Sequence, residues 1–547
     1  MRHSDNPPIR EPFNVAEYFI DRNLTEGRGD SKAVLWQEQQ LTYRQVSMLV
    51  NRAANALADG GVARGDRVLL LLLDSPAFVA AFWGAIKLGA VPVPVNTLLR
   101  AEDYEFMLRD SGARGLVVDE RLWGRVRPAL DHLAAHREGG DGRWGALQVV
   151  WVATESFAGA PTADGSFPEA SREGGYQSFD QPCTDRPRDS VAAPTHRGDP
   201  AFWLYTSGST GRPKAAIHCH HDMVDCLESY ARQVLGITSS DRTFSTSKLY
   251  FAYGLGNALY FPFGVGASTV LLADRPTPEA IFEIIRRTRP TVFFAVPALY
   301  AAMLQAAKSG SVDLSSIRLA VSAGEGLPAA LWERFRARFG ISILDGIGST
   351  EMLHMFISNG PDDILPGSSG RLVPGYEARI VDEQGQEVAP GQLGELCIRG
   401  QSAAKGYWNR PELSRVTFRG EWTVTGDKFV CDERGYFWHH GRTDDMLKVS
   451  GLWVSPVEIE TALLAHPSVL ECAVVGATDS DGLTKPKAYV VLKDTAHGPL
   501  SNEEELATFL RTQLPGYKVP RWIVLMEALP RTATGKIQRF KLRQASP

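Results

Sequence analysis

The chain has 547 residues, 44% of them hydrophobic and 22% charged, with a formal net charge of −5. It is too long for one ordinary domain and apolar enough to bury several cores, so at least two domains are expected. The mildly acidic balance argues against nucleic acid as the main partner, which would demand a basic face.

The N-terminal stretch MRHSDNPPIREPFNVAEYF lacks the apolar run of a secretory signal. From Leu41 to about Glu120 the pattern alternates: LTYRQVSMLVNRAANALADGGV is an amphipathic helix, RVLLLLL a strand, SPAFVAAFWGAIKLGA a helix and VPVPVN an extended segment. Strands interleaved with helices predict a parallel α/β sheet. The most apolar stretch, Val68 to Val95, is broken by Asp74, Pro76 and Lys87, so it reads as a strand and a packed helix, not a membrane span. Between Thr154 and Pro200 the composition turns to Gly, Pro, Ser, Asp and Arg, which predicts a long surface excursion or a tether between domains.

Further on the alternation resumes: IFEIIRRTRP helical, TVFFAVP a strand, ALYAAMLQAAKSG helical, IRLAVSAGE a strand, LPAALWERFRARFG helical and ISILDGIGSTE a strand ending in a loop. Two of these strands run into glycine turns, where ligands collect in open α/β sheets. Gly370 to Gly441 reads as short strands and turns, and strands and helices alternate again beyond Met446. The expected architecture is α/β: a large N-terminal domain, residues 1–443, of two α/β subdomains plus a β subdomain. A small C-terminal α+β domain, residues 444–547, follows, with the boundary in GRTDDMLK.

One stretch carries distinctive chemistry. YTSGSTGRPKAAIH, Tyr205 to His218, sets glycines beside the hydroxyls of Thr206, Ser207, Ser209 and Thr210 and the charge of Lys214. Glycines let backbone N–H groups approach an anion, hydroxyls add donors, and the lysine supplies charge, so phosphate is the expected guest. It is not a Walker A loop, because Arg212 and Pro213 separate Gly211 from Lys214. A flexible surface loop would have a similar composition, and the rest of the chain must decide.

Six scattered cysteines without a C-x-x-C pair predict free thiols and a reducing, cytoplasmic setting. HCHHDMVDC, His218 to Cys226, holds zinc-ligand residue types. Zinc usually takes its ligands as short separated pairs, and adjacent Cys219, His220 and His221 point apart in either a helix or a strand, which disfavours a metal.

Three further stretches complete an ordered set: DGIGSTE (Asp345 to Glu351), TGDKFVCDERGYFWHHGRTDDMLKVSG (Thr425 to Gly451) and RTATGKIQR (Arg531 to Arg539). With the Tyr205 loop they resemble the adenylate-forming superfamily of acyl-CoA synthetases, amino-acid adenylation domains and firefly luciferase. The resemblance covers nearly the whole chain. It is nearest to the benzoate–CoA ligase group, through KLYFAYGLGN, SAGEGLP, GSTEMLHMFISN and MLKVSGLWVSPVEIE.

The resemblance implies that a carboxylic acid and MgATP give an acyl-adenylate and pyrophosphate, after which coenzyme A displaces AMP. It assigns the triphosphate to Thr206, Ser207, Gly208, Ser209, Thr210, Gly211 and Lys214. Thr350 would donate to the α-phosphate, Glu351 would bind Mg²⁺, and Lys536 would bridge the carboxylate and α-phosphate. Adenine would lie between Gly324-Glu325-Gly326 and Asp345-Gly346-Ile347. Asp427 would accept from the ribose hydroxyls, with Arg442 assisting and Asp444 acting as the hinge. Lys448, Ser450, Gly451 and Trp453 would line the coenzyme A tunnel.

Ala252, Tyr253, Ala323, Gly348 and His354 suggest a compact aromatic slot without an acid for an α-ammonium group. Benzoate, 2-aminobenzoate and hydroxybenzoates are the candidates. His354 reads equally as a ligand to a ring substituent or as a packed core histidine. A separate carrier protein stands as an alternative acceptor, an inactive nucleotide-binding regulator as the reading from another class, and a monomer or homodimer as the expected assembly.

Overall fold

The computed structural model describes residues 12–135, 147–154, 177–179, 189–206, 213–307, 312–449, 452–479, 483–493, 502–531 and 537–544. Its N-terminal part is built on two sheets. The first is parallel throughout, in the order Val91–Pro94, Arg67–Leu71, Gly115–Asp119, Val149–Ala153 and Gln177–Ser178. The Thr154–Pro200 stretch therefore returns one short strand to the sheet edge, and Phe179 is buried beside Trp151. Residues 155–176 and 180–188 of it lie outside the described residues.

The second sheet has nine strands. Ile343–Gly348, Leu319–Ser322, Val292–Ala295, Arg242–Ser245, Ser268–Leu271 and Lys32–Trp36 are parallel neighbours in that order. Antiparallel strands close both ends: Gln39–Thr42 at one, Met355–Ser358 and Arg371–Leu372 at the other.

Two helices join these sheets into one core. Tyr43–Asp59 starts at a capping box, in which Thr42 Oγ1 accepts from Gln45 N–H and the Gln45 side chain accepts from Thr42 N–H. Pro76–Leu88 begins with proline in its first turn and ends at Gly89, whose φ of +81° suits glycine alone. Every residue from Pro76 to Lys87 is buried, which explains a helix with no polar face. The core runs from Val68 and Leu70 through Phe78, Phe82 and Trp83 to Phe294 and Val321.

Lys87 is the exception inside that helix. Its ammonium, 2% exposed, donates to both oxygens of Asp21 at 2.9 and 2.8 Å and to Asn51 Oδ1 at 2.6 Å. Three short charge-assisted bonds offset the desolvation of the ion.

An antiparallel sheet of Glu377–Val381, Gly394–Arg399, Trp422–Cys431, Phe418–Arg419 and Phe437–Arg442 forms the β subdomain. The small C-terminal domain packs helices Pro456–Leu464, Glu503–Gln513 and Arg539–Gln544 with Val469–Thr478, Thr484–Leu492 and Trp522–Leu525. Among the described residues, no helix is long and apolar enough to cross a membrane, and the five described cysteines are free thiols.

Candidate active site

The Tyr205 loop is the tip of a hairpin. Pro200–Thr206 pairs antiparallel with Lys214–Cys219, and Thr206 lies opposite Lys214. This strand–loop–strand frame differs from the strand–loop–helix of a Walker A motif. Ser207, Gly208, Ser209, Thr210 and Gly211 lie outside the described residues.

Lys214 is held at the hairpin base by a residue that sequence reasoning missed. Its Nζ donates to the Tyr407 hydroxyl at 2.6 Å, and that hydroxyl donates to Glu351 Oε1 at 2.6 Å. Lys214 and Glu351 themselves are 3.5 Å apart. Tyr407 reaches this position because its neighbours pair with the hairpin: Ile217 N–H donates to Gly406 O at 3.0 Å and Trp408 N–H to Ala215 O at 2.9 Å. Burial, and then the Glu351 carboxylate, push the Tyr407 phenol pKa well up, so it stays a donor.

Thr350 and Glu351 sit on a loop braced from below. His218 Nε2 bonds the Thr350 carbonyl at 2.8 Å and His218 Nδ1 bonds Asp222 Oδ2 at 2.8 Å. Phe202 stacks on the imidazole with 5.2 Å between ring centroids. Two residues further along, buried Leu353 has φ of +65°. A branched residue there stores strain that the surrounding contacts must hold.

Asp345 pairs in register with Ser322, and its Oδ2 accepts from Leu327 N–H at 3.3 Å, so the Gly324–Gly326 turn and the Asp345–Ile347 segment are brought together. Asp345 Oδ1 is buried without a partner, and burial raises the carboxyl to a pKa of about 8, which keeps it protonated at neutral pH. Glycine at 346 and 348 has a packing reason as well. A Cβ at Gly346 would lie 2.7 Å from Ile357 O, and one at Gly348 would lie 2.4 Å from His354 O.

The slot residues also converge. His354 is buried among Phe261, Tyr230, Tyr253 and Tyr260, at centroid distances of 4.5, 5.4, 5.7 and 6.4 Å. Burial drops its pKa to about 3, so the imidazole is neutral. Nε2 faces Asn257 Oδ1 at 3.2 Å, and buried Nδ1 has no hydrogen-bond partner. Tyr253 is tied to Val321 O at 3.2 Å, Ala252 is partly buried against the same core, and Ala323 is buried two residues beyond Val321. Asn257, Tyr230 and Phe261 escaped the sequence reading because only the fold turns them toward His354.

Asp427 and Arg442 face each other across paired strands. Arg442 Nη1 donates to both carboxylate oxygens at 3.3 Å, and His439 Nε2 lies 3.5 Å from Oδ1. Asp444 follows in the turn Thr443–Asp445, its side chain outside the description. Lys448 and Trp453 are backbone partners in the hairpin Leu447–Val449 and Leu452–Val454. Their side chains, and Ser450 and Gly451, lie outside the described residues, as does Lys536.

The strands and helices beside Lys536 are well anchored. Arg531 bridges to Ile537, and Arg539 donates to both oxygens of Glu460 at 2.7 and 2.8 Å. Glu460 above all, with smaller help from Asp445 and Glu325, raises the Arg539 pKa. The C-terminal helix is thus within electrostatic reach of the Gly324–Gly326 turn.

Residues 21–408 match the family model of the AMP-binding enzymes and residues 458–536 that of the AMP-binding enzyme C-terminal domain. The chain is 46% identical to a benzoate–CoA ligase of Thauera aromatica, over 99% of this chain and 98% of that protein. Its structure is similar to that of an anthranilate–CoA ligase in complex with anthranoyl-AMP, with a TM-score of 0.89 at 42% identity over 100% of this chain and 99% of that one. A benzoate–CoA ligase from Burkholderia xenovorans is similar at a TM-score of 0.84 and 42% identity, over 97% of this chain and 100% of that one. The chain belongs to the AMP-binding, adenylate-forming enzymes, and groups within them with the benzoate–CoA ligases.

Proposed function

We propose that this chain is an aryl acid–CoA ligase. It joins a benzoate-like acid to AMP with release of pyrophosphate, then passes the acyl group to the thiol of coenzyme A. The observation that carries this reading is the buried aromatic cluster around His354: four rings gathered about a neutral imidazole. Asp345, the acid that Tyr230 and Tyr253 feel, is kept protonated by burial and so offers no charge to an α-ammonium group. Benzoate, 2-aminobenzoate and hydroxybenzoates suit such uncharged aromatic surroundings. The unpartnered Nδ1 of His354 gives a ring amino or hydroxyl donor an acceptor to meet.

A carboxylate is a weak nucleophile, repelled by the phosphate it must attack, so the residues must gather positive charge and aligned donors. Lys214 and the hairpin tip hold the β- and γ-phosphates, Thr350 donates to the α-phosphate, and Asp427 with Arg442 holds the ribose. Adenine rests between the Gly324–Gly326 turn and the Asp345–Ile347 segment. Glu351 fits Mg²⁺: it is a hard oxygen donor whose Oε2 carries no hydrogen bond among the described residues. Bound there, Mg²⁺ would neutralise triphosphate charge. Lys536 arrives from the small domain, which turns about Asp444 at the 443/444 boundary to admit coenzyme A past Lys448, Ser450, Gly451 and Trp453.

The test is AMP and thioester release with MgATP and coenzyme A across aryl acids, cinnamate, fatty acids and amino acids. An aryl acid is expected to give the highest kcat/KM with stoichiometric thioester. Adenylate without thioester would move the acceptor to a carrier protein, and silence with every acid would overturn the enzyme reading in favour of a regulator.

Tyr407→Phe is expected to raise KM for MgATP roughly tenfold. A hydrogen bond to a charged group contributes about 1.5 kcal/mol or more, and the tenfold corresponds to the one bond that fixes Lys214. An unchanged KM would mean that Lys214 keeps its place without the phenol.

A further inference from the structure

The segment His218 to Cys226 is neither all strand nor all helix. The strand ends at Cys219, residues 220 and 221 turn, and a helix starts at Asp222. The turn undoes the expectation that adjacent ligands point apart. It holds for His220, whose Nδ1 turns away to accept from Val15 N–H at 3.1 Å. It fails for the others: Cys219 Sγ, a ring nitrogen of His221 and an Asp222 carboxylate oxygen all lie within 4.8 Å of one another.

Asp222 makes the group more than a coincidence of residue types. Its carboxylate is fully buried, and Oδ2 is committed to His218 Nδ1 and to Cys219 N–H at 3.0 Å. Oδ1 is equally buried yet accepts no hydrogen bond, and it lies 3.3 Å from His221 Nδ1. Two ligands on a tetrahedral zinc ion stand about 3.3–3.6 Å apart, given bonds of about 2.0–2.3 Å. The ligand atoms need only a small closure to share an ion. Cys219 is buried, while the His221 side chain is 21% exposed and opens a path from solvent.

We propose that Cys219 Sγ, His221 Nδ1 and Asp222 Oδ1 bind a divalent cation of the zinc type. A thiolate, an imidazole and a carboxylate form a borderline-soft donor set, which selects Zn²⁺ or Co²⁺ over Mg²⁺ and Ca²⁺. Binding releases the Cys219 thiol proton, now donated to Gly198 O at 3.4 Å, and the His221 Nδ1 proton, now donated to Asp225 Oδ2 at 2.8 Å. The fourth position falls to water or to Asp225, whose Oδ2 is 2.8 Å from His221 Nδ1. The site shares no residue with the loop of Thr350 and Glu351, but Asp222 and His218 connect the two.

The test uses the full, untagged chain, stripped with chelator, desalted and titrated with Co²⁺ and then Zn²⁺. One equivalent of Co²⁺ is expected to give a thiolate-to-metal charge-transfer band that Zn²⁺ displaces. Cys219→Ser should abolish the band, and Cys397→Ser should leave it intact. His221→Ala, at a partly exposed position, should weaken Zn²⁺ binding by at least the roughly 10- to 100-fold lost with an outer-shell partner. It serves as the second variant should Cys219→Ser fold poorly. No band and no retained zinc in the wild-type chain would overturn the proposal, as would affinity unchanged in a natively folded His221→Ala.

Discussion

Lys536→Ala is expected to cut acyl-adenylate formation by roughly 10²- to 10³-fold, the loss typical of one donor aimed at developing charge. Thiolysis of preformed adenylate by coenzyme A should be largely spared, because in the proposed mechanism the lysine acts only while carboxylate and α-phosphate are brought together. The change should not unfold the small domain. The described anchors beside the position do not use the lysine: Gln538 N–H donates to Pro530 O at 2.8 Å, and Arg539 is clamped by Glu460, which also accepts from Val474 N–H at 2.7 Å. The check is pyrophosphate release against thioester formation from supplied adenylate. Equal losses in both half-reactions would remove Lys536 from its assigned step.

Lys87→Ala is expected to cost the large domain about 3 kcal/mol, the lower end of the range for removing one partner of a buried ion pair, because the Asp21 side chain left behind is 30% exposed. The deletion leaves Asp21 without its cation and removes the bond to Asn51 Oδ1, besides opening a cavity in a helix buried all round. Because a multidomain chain does not unfold in one step, the readout is the apparent Tm of the large-domain transition at a fixed scan rate. A fall on the order of 5 °C is expected. Removing both charges with Asp21→Leu and Lys87→Met should cost less than Lys87→Ala alone, since no unpaired ion is left behind. An unchanged Tm in Lys87→Ala would mean that the pair contributes nothing.

Much of this arrangement was legible in the sequence, and the exceptions share a cause. The helices Tyr43–Asp59 and Pro76–Leu88 and the strands after them are local patterns with caps and stops, so periodicity finds them. The hairpin tip is suggested by residue type only in company with the three later stretches, because a flexible surface loop would have a similar composition. Tyr407 does not. It meets Lys214 across 193 positions and Glu351 across 56, and no spacing rule encodes a contact that two subdomains make only after docking. The same holds for His218, which reaches Thr350 across 132 positions. The proximity of Cys219 and His221 escapes the sequence for a different reason: a rule about directions within one element does not hold across the junction of two.

The pairing of Asp427 with Arg442 has a mechanical corollary. Asp427 sits mid-strand in the sheet, whereas Arg442 is the last residue of its strand before the turn Thr443–Asp445. If Asp427 and Arg442 hold the ribose and the small domain pivots at Asp444, as proposed, both jaws of that grip stay bolted to the frame, and the axle lies two residues beyond Arg442. The nucleotide would then keep its seat while the small domain swings to admit the thiol.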